Sequence, residues 1–152
     1  MEFKIESINI SDQKGVQKHP VETAQLIENY GIDHDAHAGN WHRQVSFLAG
    51  EAVDAMKSKT AGKLEIKHGD FGENIVTRGI DWTKTKIGDK IFIGNDCDHA
   101  ELKITQIGKE CHSHCAIYNT VGDCIMPRMG IFAKVLIGGK INVGDSGYYN
   151  IG

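Results

Sequence analysis

Four stretches of the chain gather side chains capable of chemistry beyond packing. Lys109-Glu110-Cys111-His112-Ser113-His114-Cys115 sets two thiols four positions apart, with two imidazoles between them and an ammonium just before. The thiolate is the nucleophilic and metal-binding form of cysteine, and nearby cations lower a thiol's pKa from about 8.5 toward neutrality. Lys109, a protonated His112 or His114, and Arg128 are the cations that could do so. Two readings stay open. One is a reactive thiolate at Cys111 or Cys115; the other makes Cys115, ahead of Ala116-Ile117-Tyr118, a small buried hydrophobe. Gly122-Asp123-Cys124-Ile125-Met126-Pro127-Arg128 adds a third thiol. These ligands also suit zinc, but Cys-x3-Cys has no second pair at finger-like spacing, so a structural zinc is not expected.

Gly31 to Gln44 holds Asp33, His34, Asp35, His37, His42 and Arg43. Gly31 and Gly39 let backbone approach a ligand, Arg43 can bind a phosphate or carboxylate with two parallel bonds, and Gln44 can add a directional amide contact. The stretch therefore reads as an anion clasp, or else as a solvated loop whose charges pair with each other. Gly69-Asp70-Phe71-Gly72-Glu73-Asn74 can turn backbone N–H groups toward the same anion, although paired glycines also mark ordinary turns. The acid pairs Asp33/Asp35 and Asp70/Glu73 are formal acid–base candidates without a supporting motif. The phosphate-binding Lys-Ser/Thr element, the dinucleotide fingerprint and the Gly-x-Ser-x-Gly elbow are all absent.

The whole chain must position these groups. Its 152 residues predict one domain over 1–152, large enough to fold without disulfides or metal. No two of the 17 Lys and Arg residues are adjacent and the net charge is −3, which argues against nucleic acid and anionic membrane as partners. No apolar run reaches the roughly 18 residues of a membrane span, and the N-terminus lacks a signal-peptide core. A cytoplasmic location follows as the expectation, with the four cysteines as thiols. Trp41, Trp82, Tyr148 and Tyr149 read as packing residues.

The elements are short and mostly β. Phe3 to Ile10 alternates with a slip near Ser7, which predicts a strand with a bulge. Lys14 to Pro20 reads as loop, and Val21 to Tyr30 as either an extended segment or a short helix. Gly50 to Lys59 has helical spacing in Ala52, Val53 and Met56, with Glu51 at its start. Strands are predicted at Glu73–Thr77, Lys86–Ile93, Glu101–Ile107, Ile131–Ile137 and Ile141–Val143, the last two joined as a hairpin through Gly138-Gly139. Ile87-Gly88-Asp89 and Val143-Gly144-Asp145 are similar phrases, too short to establish a repeat. Eighteen glycines, one helix and six or more strands predict a mainly β (α+β) barrel with a few peripheral short helices.

Taken in order, Gly31-Ile32…Asp35-Ala36-His37-Ala38-Gly39…His42-Arg43-Gln44-Val45-Ser46, Gly69 to Ile75, Ile87-Gly88-Asp89, Cys111-x3-Cys115 and Gly130 to Asp145 resemble a MOSC domain. That is the C-terminal domain of molybdenum-cofactor sulfurases, and the sequence resembles the small stand-alone bacterial members in particular. The resemblance implies a β-barrel binding molybdenum cofactor (molybdopterin), at least transiently. It also implies a cysteine that carries sulfur as a persulfide or ligates molybdenum. Cys115 maps best to that cysteine, with Cys111 and then Cys124 as alternatives. His37, Gly39, Arg43, Gln44, Gly72, Glu73, Asn74, Lys109 and Arg128 become the cofactor-binding residues. A pyridoxal-phosphate desulfurase domain has no counterpart, so pyridoxal phosphate is not expected and sulfur would come from a donor such as a cysteine desulfurase. Two alternatives stay beside this one. One is a molybdenum-dependent reductase of N-hydroxylated compounds with an electron-donor partner; the other is a non-catalytic partner of a molybdenum-cofactor enzyme or of cofactor biosynthesis.

Overall fold

Alternation puts Phe3, Ile5 and Ile8 of the first strand, β1 (Glu2–Ile10), into the interior, and the expected slip is a bulge between Ile5 and Ser7. The structure, a computed structural model, describes residues 2–13, 17–60, 66–94, 99–108 and 130–150. Ten further strands follow: β2 (His19–Val21), β3 (Thr23–Ile27), β4 (Gly31–Ile32), β5 (Val45–Ala49), β6 (Ile75–Arg78), β7 (Lys90–Gly94), β8 (His99–Ile107), β9 (Ile131–Ile137), β10 (Gly139–Asn142) and β11 (Ser146–Asn150). Among the described residues there is one α-helix, α1 (Gly50–Thr60), and one 3-10 turn at Trp82–Lys84.

Seven strands close into a barrel in the order β1, β6, β5, β9, β8, β7, β11, because β11 returns to pair with β1 at Glu2↔Tyr148. Closure leaves those strands no open edge. Every ladder is antiparallel except β5–β6, which runs parallel at Phe47↔Ile75. A parallel pair needs a long crossover, and α1 lies within it, burying Ala52, Val53 and Met56. The centre is apolar: Phe47, Leu48, Ile75, Ile91, Leu102 and Ile104 are fully buried. Trp82 sits among Phe3, Phe47 and Tyr149, with ring centroids 5.6, 5.6 and 6.3 Å away, and its indole N–H donates to Thr77 Oγ1 at 2.8 Å.

Several expectations are corrected. Ile131–Ile137 and Ile141–Val143 do not form a hairpin. β9 stays in the barrel between β8 and β5, whereas β10 crosses to a second sheet of order β10-β3-β4. Neither Gly138 nor Gly139 has the positive φ that a two-residue hairpin turn demands. Gly138 serves close approach instead, since a Cβ there would lie 2.5 Å from the Leu26 carbonyl oxygen. Val21–Tyr30 is resolved as strand, β3. His19-Pro20, read as loop, belongs to β2, whose only strand neighbour among the described residues is β1, an edge position that tolerates proline. The strand read from Lys86 begins at Lys90, because Ile87-Gly88-Asp89 is a turn.

That turn is used three times. Asp89, Asp145 and Asp70 each donate a backbone N–H to the carbonyl three residues back, at 3.1 Å. Each also accepts that residue's N–H on its carboxylate, at 2.8 to 2.9 Å. The glycine before each aspartate has φ between +93° and +100°, as a type II turn requires.

Candidate functional site

The polar residues of the first patch fall on the loop between β4 and β5, and one carboxylate organises it. Asp35 Oδ1 accepts the Lys18 ammonium at 2.7 Å and the Ser11 N–H at 3.1 Å, while Oδ2 accepts the His37 N–H at 3.2 Å. Both charged side chains are wholly buried. Desolvating such a pair is costly unless the remaining polar atoms are matched, which the two backbone donors achieve here. The β1–β2 and β4–β5 loops are thereby tied together, and His37 is held at the barrel's rim. Asp35 is thus committed to Lys18, which excludes the acid–base pairing with Asp33 considered from sequence.

From His37 the chain turns through Trp41, whose indole N–H donates to the His37 carbonyl at 2.7 Å. Arg43 then lays its guanidinium over the Trp41 ring, 4.7 Å from the centroid, with the Phe132 ring at 5.8 Å. Among the described residues Arg43 makes no ion pair, and its Nε is buried without a hydrogen-bond partner. A buried donor left unmatched is uncommon in folded proteins.

The facing wall comes from the ends of β5 and β6. Ser46 and Asn74 bond reciprocally: Asn74 Oδ1 accepts the Ser46 N–H at 2.9 Å and its hydroxyl at 3.2 Å, and the Asn74 N–H donates to Ser46 Oγ at 2.9 Å. Asn74 Nδ2 donates to the Asn9 carbonyl at 3.1 Å, stitching in β1. His37, Trp41, Arg43, Ser46, Gly72, Asn74 and Phe132 enclose a cavity of about 80 Å³. Liquid water takes up roughly 30 Å³ per molecule, so the space suits a tetrahedral oxoanion or a ligand's terminal group. Ser46 Oγ and one of the two Asn74 Nδ2 hydrogens are already engaged, and Arg43 is the permanently charged residue of the lining.

The structure therefore brings His37, Arg43, Gly72 and Asn74 to one cavity, while Gln44, Gly39 and Glu73 are not among its lining residues. Gln44 is buried behind it: Oε1 accepts the Val135 N–H at 2.9 Å and Nε2 donates to Asn29 Oδ1 at 3.4 Å. Gly39 lies farther along the loop, its N–H on the Tyr30 carbonyl at 2.7 Å. Glu73 points into its own turn and accepts the Gly69 and Phe71 N–H groups, both at 3.1 Å. Burial pushes the Glu73 carboxyl up to about 7, against those N–H donors, and nearby Asp70 adds a smaller push in the same direction. Cys111, Cys115, Cys124, Lys109 and Arg128 lie outside the described residues. Among the described residues no three His, Cys, Asp or Glu side chains converge as a metal site.

Sequence reasoning passed over Lys18, Ser46 and Phe132, and took Trp41 for packing. Ser46 carried a signal, as the one polar residue in the otherwise apolar run of β5. Gly108 and Gly130, the described residues on either side of positions 109–129, meet near this rim. Gly108 N–H donates to the Gly130 carbonyl at 2.7 Å, and Gln106, at the end of β8, bonds His42 Nε2 at 2.9 Å and the Gly108 carbonyl at 2.7 Å. His42 and Phe132 thus link the cavity rim to both ends of that segment.

With this geometry in place, the comparison with known families is decisive. A family model for the MOSC domain matches residues 33–147. The chain belongs to the MOSC domain family. That span contains the cavity's residues and the segment with Cys111, Cys115 and Cys124. Solved structures share the fold. The YuaD protein from Bacillus subtilis is 20% identical with a TM-score of 0.79, covering 97% of this chain and 94% of its own. YiiM from Geobacillus stearothermophilus is 18% identical with a TM-score of 0.69, covering 98% of this chain and 75% of that one. YiiM from Escherichia coli is 16% identical with a TM-score of 0.67, covering 100% and 71%. At these identities the likeness speaks for the fold alone. Among curated proteins none matches this MOSC domain significantly. No helix among its described residues is long and apolar enough to cross a membrane.

Proposed function

We propose that this MOSC domain binds molybdenum cofactor by its phosphate end at the Arg43 cavity and uses Cys115 to carry sulfur or to ligate the metal. The observation that carries the reading is the Arg43 guanidinium, without an ion pair among the described residues, lining a cavity of oxoanion size. A phosphate supplies an ionic partner, and a charge-assisted bond to guanidinium is among the strongest available. The residues therefore fit the anionic end of such a group. Trp41 and Phe132 hold the guanidinium in place, His37 closes one side, and Gly72 leaves room because a Cβ there would meet nothing within 4 Å. The pterin itself would extend out of the cavity toward the rim where segment 109–129 is rooted.

When bound, the cofactor supplies a soft metal centre able to accept a thiolate. The chain's own contribution is to fix the phosphate and to offer a thiolate, which Lys109 and Arg128 would favour by their charge. Family membership supports both parts of this reading. The test is protein isolated from molybdenum-replete cells, assayed for pterin by fluorescence after oxidation, for molybdenum by elemental mass spectrometry, and for a persulfide by intact-mass analysis. Arg43→Gln should lose the pterin, and Cys115→Ser should keep pterin but lose the persulfide or the metal. Wild-type protein free of pterin, molybdenum and persulfide under those conditions would refute the proposal.

A further inference from the structure

We propose that Glu73 is a proton switch for the Arg43 cavity: protonated, it lets the cavity hold an oxoanion, and ionised, it weakens that hold. This deepens the reading of the cavity as an anion site and rests on it.

The geometry places the switch. Gly72 and Asn74, the residues on either side of Glu73, both line the cavity, so Glu73 is joined to its wall by one peptide bond on each side. Adjacent Cα atoms are about 3.8 Å apart, which keeps the carboxyl within roughly 10 Å of a bound anion. The side chain is fully buried and bonded only to backbone N–H groups, so no cation cancels its charge when it ionises. The charged groups around it are already committed. Asp70, on the same loop, binds the Lys67 N–H. Lys18, whose backbone N–H meets the Gly69 carbonyl at 3.0 Å, has its ammonium on Asp35. His68 is bonded to Glu6 at 3.1 Å, and Glu6 to Arg78. Across the cavity stand Arg43 and His37. The net local charge that an anion meets therefore changes by a full unit when Glu73 loses its proton. Its carboxyl, lifted to about 7, makes that change within the neutral range.

A unit charge roughly 10 Å from a dianion, at an effective dielectric of about 20 to 40, changes affinity by about sixteenfold or more between the two protonation states, and partial protonation about one pH unit either side of the midpoint trims the observed change to about fivefold to tenfold. Linkage is reciprocal, so an anion in the cavity must raise the Glu73 titration midpoint by the full factor between the two states. Sulfate is the probe, because it stays dianionic across this range. Sulfate titrations of the whole protein at about pH 6 and about pH 8 should show about fivefold to tenfold tighter binding at the lower pH. Arg43→Gln should abolish binding, and Glu73→Gln should remove most of the pH dependence. A second readout needs no variant: the carboxyl carbon-13 resonance of Glu73 should titrate at higher pH with sulfate present. Sulfate binding that needs Arg43, but with an unmoved Glu73 midpoint or with pH dependence intact in Glu73→Gln, would overturn the switch while leaving the anion site standing. No sulfate binding at either pH would overturn both.

Discussion

Removing the Asp35 carboxylate tests whether the rim of the cavity is held by a buried charge pair. Asp35→Ala strands the Lys18 ammonium, whose next polar neighbour is Ser11 Oγ at 3.5 Å, and it also leaves the Ser11 and His37 N–H groups unmatched. Breaking a buried pair from one side costs about 3–5 kcal/mol. For a chain of this size each kcal/mol lowers Tm by about 2–4 °C, so a fall of roughly 6–20 °C is expected. That is a large part of the about 5–15 kcal/mol that holds a typical domain folded. Lys18→Met should cost less, because the stranded carboxylate keeps its two backbone donors. The double variant should be more stable than the sum of the single losses predicts, by about 2 kcal/mol, within the usual coupling range for contacting residues. Urea unfolding of all four proteins, read by far-UV circular dichroism, supplies the cycle. Because His37 loses its anchor, sulfate affinity should also fall in Asp35→Ala. Additive losses in the cycle, or a cost below about 1 kcal/mol for Asp35→Ala, would refute the idea that this pair holds the two loops together.

Gln44→Ala should unmatch the buried Val135 N–H and cost about 1–3 kcal/mol by urea unfolding. Sulfate affinity in that variant should stay as in wild type, because Gln44 stands behind the cavity. Glu73 also has a signature in stability. Between the ordinary carboxyl value of 4.5 and about 7 the folded protein holds a proton that the unfolded chain has lost. Stability from this group is therefore full below about 4.5 and falls as pH rises toward 7, by at most about 3 kcal/mol. Compared with Glu73→Gln across that window, wild type should lose stability as pH rises; a constant difference between the two would contradict the raised pKa.

Much of the barrel was legible because its physical cause is local. Alternation with a slip marked β1 and its bulge, and helical spacing with Glu51 marked α1, whereas the Gly-Asp turns went unread, Ile87-Gly88-Asp89 being taken as part of a strand. β5 escaped notice because all five residues, Val45 to Ala49, are buried, which erases the alternation that identifies a half-exposed strand. The Gly138-Gly139 hairpin failed because glycine permits a reversal without demanding one, and here it permits contact with Leu26. In the site, Arg43 and His37 were legible as residue types that bind anions. Gln44 and Lys18 were not, since an amide facing a ligand and one facing a backbone N–H look alike in sequence, and nothing local marks Lys18 for burial.

Residue order alone determined which segments alternate, where the chain turns, and that one arginine would follow a glycine- and histidine-rich loop. Tertiary structure decided that β1 and β11, from opposite ends of the described chain, close the barrel, and that Lys18 finds Asp35. It also decided that Arg43 lies beside two aromatic rings with its Nε buried and unmatched. Local preferences act over a few residues, whereas desolvation and charge pairing depend on which surfaces meet across the fold.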